Sequence, residues 1–165
     1  MMQTNGLPEL SLLERAIADG SVNAELMLPG APTPSVEAAA RALGVAESQI
    51  LKSLLFIARD GRVVLAIARG SSRVDREALA LVHGSGRLRL ATPEVALERT
   101  GYPAGGIPPV CHAEQLAVVV DSAVMLLDCA FGGGGRVDAM LRIAPAEIVR
   151  VTNAMVADVT LPSVE

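Results

Sequence analysis

From Leu10 to Ala18, apolar residues fall at Leu12, Leu13, Ala16 and Ile17, with Glu14, Arg15 and Asp19 opposite. That spacing predicts a helix, with Gly20 as its stop. Val22 to Leu28 alternates enough to read as a strand, and Pro29 to Pro34 is a loop. Ser35 is placed to cap a helix over Val36–Leu43, which Gly44 ends. Two apolar runs, Gln49–Arg59 and Arg62–Arg69, flank Asp60-Gly61. This is the pattern of a β-hairpin with a two-residue turn. Val74–Val82 reads as a helix with Asp75 and Glu77 at its positive end. Arg87–Leu90 reads as a short strand, and Thr92-Pro93 opens a helix running to about Arg99.

Leu116–Val120 is a continuous apolar run, the mark of a buried strand, closed by Asp121-Ser122. Ala123–Phe131 fits a short helix or a strand equally. Gly132–Gly135 reads as a tight turn or bulge, Val137–Ile143 as a strand, and Pro145 opens a helix to about Val151. Met155–Val159 reads as a last short strand. Short strands mix with short helices without regular βαβ alternation, and the hairpin requires antiparallel pairing. The fold class expected is α+β. No repeat or composition shift divides the chain, so one domain over residues 1–165 is expected, its core at about 11–160.

Composition narrows the partners. Of the 165 residues 51% are hydrophobic and 2% aromatic, so the core is built from Ala, Val and Leu, and disorder is excluded as the general state. No apolar run approaches a membrane span. Met1–Leu10 lacks a secretory pattern, and Cys111 and Cys129 do not make a disulfide framework. A cytoplasmic setting is expected. The formal net charge of −4 argues against a broad basic coat for DNA or RNA. It leaves room for a few residues gripping one acceptor end. Lys52 is the only lysine among 14 basic residues, a compact point charge in a chain that otherwise uses arginine.

The segment Gly101-Tyr102-Pro103-Ala104-Gly105-Gly106-Ile107-Pro108-Pro109 is too irregular for a helix or strand and too constrained for a floppy linker. It fits a rigid surface connection or a shaped loop presenting bare N–H groups to a ligand. Other constellations are weaker. Gly132–Gly135 lacks the phosphate-loop pattern, and Ser85 lacks a nucleophile elbow. His83, Cys111, His112 and Cys129 lack zinc-ligand spacing, so no metal or cofactor is expected. Asp121 suits an Asx-type cap or a functional carboxylate.

Taken together, Pro32-Thr33, Val36–Val45, Ile50 to Leu54 around Lys52, Val74 to Arg76, Gly101–Pro109, Val118–Asp121 and Gly133–Arg136 resemble the YbaK/EbsC family. That family is related to the editing domain of bacterial prolyl-tRNA synthetases. The likeness runs from about Ser11 to Thr160. It implies a curved mixed, largely antiparallel sheet flanked by short helices. It also implies a free-standing hydrolase that deacylates mischarged aminoacyl-tRNA, most often tRNA for proline, with prolyl-tRNA synthetase as a further partner. By that resemblance Lys52 lies near the tRNA 3′ end, and the Gly105–Pro109 loop presents donors to the ester. Gly105 and Gly106 would then stabilise the oxyanion. Thr33 and Asp121 would shape the pocket, with Tyr102, Ile107 and Pro109 around the substrate; His112 is a further candidate for the pocket lining, from its place just after the loop rather than from the family. Water would be activated by the substrate's own ribose hydroxyl. Three positions depart from the family: Cys111 stands where glycine is frequent, Ser53 replaces a threonine, and His112 has no counterpart. A non-catalytic tRNA- or synthetase-binding module and a hydrolase of other small esters are the competing expectations.

Overall fold

Ser11, Ser35, Asp75 and Thr92 are each in extended backbone and turn an oxygen onto the backbone N–H groups of the following helix. They open α1 (Leu12–Ala18), α2 (Val36–Leu43), α3 (Arg76–His83) and α4 (Pro93–Thr100). Gly44, Gly84 and Gly101 close the last three in the left-handed conformation that glycine adopts without a Cβ penalty. The fifth helix, α5 (Pro145–Thr152), starts on a proline and ends at Asn153. These elements come from a computed structural model that describes residues 10–162.

Eight strands complete the fold: β1 (Ala24–Met27), β2 (Leu51–Ala58), β3 (Val63–Arg69), β4 (Leu88–Leu90), β5 (Ala117–Asp121), β6 (Ala130–Gly133), β7 (Met140–Ile143) and β8 (Met155–Ala157). The expected hairpin is present, but its turn has three residues, Arg59 to Gly61, rather than the two expected: Ala58 N–H donates to Arg62 O at 2.9 Å and Gly61 N–H to Ala58 O at 3.0 Å. β2 and β3 pair antiparallel from Leu51↔Arg69 to Ile57↔Val63, which sets Lys52 opposite Ala68. A five-stranded sheet runs β4-β2-β3-β5-β8 and a three-stranded sheet runs β1-β7-β6. Four of the pairings are antiparallel, while β3–β5 and β5–β8 are parallel. The sheet is therefore mixed, in an α+β fold. The two sheets meet where Ile50, just before β2, bridges Phe131 of β6.

β3 is the central strand, and Val64 to Ala68 are wholly buried. Its residues alternate between two cores. Leu65 and Ile67 join Leu13, Leu55, Val118, Val120, Leu141 and Ile148 on one face. Val64, Ala66 and Ala68 meet Phe56, Leu79 and Val159 under α3 on the other. Small and branched side chains suit this arrangement, because both faces of one strand must be covered closely.

The structure corrects a further sequence expectation. Gly132 and Gly133 are not a turn but the end of β6, paired with Leu141 and Met140. The glycines are there for space. A Cβ on Gly132 would lie 3.0 Å from Pro109 Cδ, and one on Gly133 would lie 2.5 Å from the Ile107 carbonyl oxygen. The ambiguous stretch before it resolves into a 3-10 turn, Ser122–Leu126, and the start of β6. β1, β7 and β8 are each shorter than their apolar patterns.

Candidate functional site

The seam between the two sheets carries a cavity of about 170 Å³. The first half of β2 brings Lys52, Ser53 and Leu54 to it, and the approach to α2 brings Thr33, Ser35 and Val36. Gly105 and Ile107 enter from the glycine–proline loop, Gly133 from β6 and Met140 from β7. Four residues singled out in the sequence, Thr33, Lys52, Gly105 and Ile107, thus meet at one wall although 74 positions separate the first from the last.

Lys52 is half-buried, and desolvation lowers its pKa below the usual lysine value. Its Nζ donates to the Ser72 carbonyl. The chain beyond β3 is folded back to permit this: Gly70 N–H donates to Ile50 O at 2.7 Å, and a Cβ on Gly70 would strike Val36. Lys52 and Leu54 also line a second, larger groove of about 480 Å³, with Arg73, Asp75, Arg76, Leu90 and Leu161. The ammonium therefore belongs to the wall between a small chamber and an open groove.

The two candidate glycines differ. Gly105 has φ +85°, a conformation that favours glycine, and a Cβ there would point into open space. Among the described residues no acceptor takes its N–H, nor that of Ile107. Gly106 N–H is already spent on Pro103 O at 2.9 Å, and its carbonyl accepts from Gly135 N at 2.8 Å. Gly106 is a clamp that holds the loop against residues 133–136, while Gly105 leaves a donor at the cavity.

Ser53 was not a sequence candidate. Its Oγ is buried and has no hydrogen-bond partner among the described residues, an arrangement that costs free energy unless something binds there. Its place immediately after Lys52 was visible in the sequence, but nothing in the pattern showed that the hydroxyl is orphaned. Thr33 Oγ1 has only the Met140 thioether, at 3.5 Å. Ser35 Oγ accepts from the Ala38 N–H, and most of the remaining lining, with Val36, Ala39, Leu51, Leu54, Ile107 and Met140, is apolar.

Tyr102, Pro109, His112 and Asp121 are not brought to this cavity. The Tyr102 hydroxyl donates to Cys111 O at 2.6 Å and accepts from Leu13 N at 3.2 Å. Burial pushes its pKa up to about 12. Tyr102 ties the loop to α1. Pro109 packs over Gly132. His112 donates from Nε2 to Pro108 O at 2.7 Å, and its burial lowers its pKa. It lines a different hollow, together with Cys111 and Asn153. Cys111 has φ +65°, a backbone better suited to glycine. Asp121 is 2% exposed and caps the turn after β5 through Ala123 N. It also accepts from Val159 N at 2.9 Å and Thr160 Oγ1 at 3.3 Å, which fastens the end of the fold.

A chamber of this size holds a few heavy atoms; an apolar cavity of ~150 Å³ takes one benzene ring. It suits a small acyl group and is far too small for a nucleoside, which the adjoining groove has room for.

Comparison with known proteins points the same way. YwhH, an uncharacterized protein of Bacillus subtilis, is 30% identical over 114 residues, 69% of this chain and 72% of its own. A protein of Enterococcus faecalis provisionally named EbsC, a Cys-tRNA(Pro)/Cys-tRNA(Cys) deacylase, is 24% identical over 126 residues, 76% of this chain and 77% of its own. The proline–tRNA ligase of Thermotoga neapolitana is 43% identical over 89 residues, 52% of this chain but only 15% of that ligase. A crystal structure of a protein provisionally named a trans-editing enzyme for prolyl tRNA synthetase superposes with a TM-score of 0.82 at 31% identity, over 92% of this chain and 96% of the other. The aminoacyl-tRNA editing domain model matches residues 30–151, a segment that contains every residue of the seam cavity. The chain belongs to the aminoacyl-tRNA editing domain family.

Proposed function

We propose that this chain is a free-standing aminoacyl-tRNA deacylase that removes a small wrong amino acid, with tRNA for proline as its carrier. The observation that carries the reading is the convergence of Lys52, Thr33 and the unused Gly105 N–H on one small chamber beside a nucleoside-sized groove.

In this reading the acyl group enters the chamber and the terminal adenosine lies in the groove, with Lys52 between them. The N–H of Gly105, joined by that of Ile107, receives the negative charge that develops on the carbonyl oxygen. One such donor contributes ~2.7–4 kcal/mol in acyl-transfer enzymes. Water attacks the carbonyl carbon, and the substrate's free ribose hydroxyl orients it, accepting the water's proton while passing its own to the neighbouring ester oxygen. The bond from the carbonyl carbon to the ester oxygen breaks, and that oxygen regains a proton. A free amino acid and an uncharged tRNA leave. An aminoacyl ester is already activated, so no side-chain nucleophile is required. Lys52 holds a phosphate or the ribose as a point charge. Thr33 and Ser53 offer hydroxyls to the acyl group, and Ile107 and Met140 limit its size. One methylene is worth only ~1–3 kcal/mol in such a pocket. Cysteine, alanine, serine and 2-aminobutyrate are therefore discriminated modestly.

The test is a deacylation screen of tRNA for proline charged with each small amino acid, run beside Lys52→Ala. Ester loss well above the buffer rate in the wild type, and reduced about 10- to 100-fold in Lys52→Ala, is the expected result; charge-assisted hydrogen bonds contribute ~1.5–3 kcal/mol. The second reading, a binding module without catalysis, is favoured by the bond from Lys52 Nζ to Ser72 O, which keeps the ammonium engaged within the chain. Tight binding of charged tRNA with ester loss no faster than in buffer selects it.

A further inference from the structure

The chain is acidic overall, yet one surface is not. Arg59, Arg73, Arg76, Arg87 and Arg89 are all exposed and line three adjoining hollows, the Lys52 groove and two that continue from it. Arg76 is common to all three, and Arg87 to two. Six other arginines are ion-paired: Arg41, Arg62, Arg99, Arg136, Arg142 and Arg150. Among the described residues none of the five in this strip has a carboxylate partner. Arg76 instead lies over the Phe56 ring, 5.7 Å from its centroid. Two carboxylates border the strip. That of Asp75 is taken up by the Glu77 and Ala78 N–H groups, which leaves Glu77.

β2 sets the length of the strip. Lys52 and Arg59 are seven residues apart, which at ~3.3 Å per strand residue is about 23 Å. A single terminal nucleotide does not reach that far. β4, paired to the far half of β2 from Phe56↔Leu90 to Ala58↔Leu88, places Arg89 beside Ile57. Unpaired guanidiniums clustered in and beside a nucleoside-sized groove, in hollows that share Arg76, match a run of phosphates, which they bind in bidentate fashion. A net charge of −4 makes the local concentration of positive charge selective for a polyanion laid along this one path.

We propose that Arg59, Arg73, Arg76, Arg87 and Arg89 form the track for the acceptor-stem phosphates upstream of the 3′ end held at Lys52. The proposal rests on the deacylase reading for the direction of the RNA, and it adds a site that reading does not need for chemistry.

The test uses the full chain and two probes. One is an uncharged acceptor-stem minihelix ending in a single-stranded CCA; the other is an aminoacyl-adenosine, too short to reach Arg59, Arg87 and Arg89 beyond the Lys52 groove. The variant is Arg59→Gln with Arg87→Gln and Arg89→Gln. A control removes equal charge elsewhere with Arg15→Gln, Arg99→Gln and Arg142→Gln. The strip variant is expected to weaken minihelix binding at least tenfold and to lower the slope of log Kd against log salt by about 0.7–0.9 per lost phosphate contact. It should hydrolyse aminoacyl-adenosine at the wild-type rate, and the control should bind the minihelix as the wild type does. A strip variant that binds with unchanged affinity and salt slope overturns the track, as does a control that weakens binding equally. Failure of the wild type to hydrolyse any aminoacyl ester sinks the deacylase reading instead, and the minihelix measurement still decides the track.

Discussion

The Gly133 Cα hydrogen that would become a side chain points at the Ile107 carbonyl: a Cβ built there lies 2.5 Å from Ile107 O and 2.9 Å from the Gly106 carbonyl. The glycine–proline loop is thus seated directly on β6, backbone against backbone. Both Gly105 and Ile107 owe their positions at the cavity to that contact. Gly133→Ala must push the loop off its seat. It is expected to destabilise the fold by about 1–3 kcal/mol in denaturant unfolding. The loss of deacylation should be larger than the loss of stability accounts for, since a displacement near 1 Å can cost ~10²-fold in rate. Wild-type kcat/KM in a folded Gly133→Ala protein would show that the loop's seating is immaterial.

Replacing the Gly105 amide with an ester, by incorporating glycolic acid at position 105, removes only the N–H. If that donor receives the oxyanion, kcat falls by about 10²–10³. The same replacement at Gly106 removes the bond to Pro103 O and is expected to lower stability by about 1 kcal/mol instead. Equal kinetic effects at the two positions would contradict this division of labour.

Burial lowers the pKa of Lys52 from 10.5, so its charge is lost as pH rises through a value below that of a free lysine. Binding of a CCA trinucleotide, followed from pH 7 upward, is expected to weaken on the alkaline side before pH 10.5 is reached. Lys52→Met should bind weakly throughout and lose this dependence. A wild-type affinity that stays constant to pH 10.5 would remove the ammonium from the contact.

Glu147 gives a prediction about stability. It stands in the first turn of α5, accepts from Asn23 N at 2.6 Å and pairs with Arg150, whose guanidinium also reaches Ser21 O. Hydrogen bonds from Arg150 hold its carboxylate down at about 2, well below the ordinary glutamate value of 4.5. A depressed folded-state pKa stabilises the fold above the unfolded value and loses that contribution as pH falls towards the folded value. Thermal melts from pH 7 to pH 2 should show stability declining between about 4.5 and about 2. Glu147→Gln should melt lower at pH 7 and decline less steeply over that window.

Much of this fold is written in local pattern. The Asp60-Gly61 hairpin, the caps at Ser35 and Thr92, and the buried run ending at Val120 each follow from a few adjacent residues. Thr33, Lys52, Gly105 and Ile107 are site candidates by another route, the order of short motifs along the chain and the family that order resembles. What local pattern cannot carry is the pairing of distant segments. The parallel contacts β3–β5 and β5–β8 leave no turn signature. Asp121 looks the same in sequence whether it faces a ligand or, as here, the Val159 amide 38 residues away. Gly132 and Gly133 mimic a turn because glycine marks both tight bends and close backbone approaches, and only the position of Pro109 and Ile107 reveals which. Gly105 and Gly106 are neighbours of one type, and their separation into donor and clamp depends on where Pro103 and Gly135 lie.

Lys52 stands in the partition between chamber and groove, in the lining of both. Selection acting on that one position therefore changes both compartments together, and the two cannot drift apart there. Under the proposed deacylase reading, fitting a new acyl group then falls to side chains that line the chamber and not the groove, Thr33 and Met140 among them.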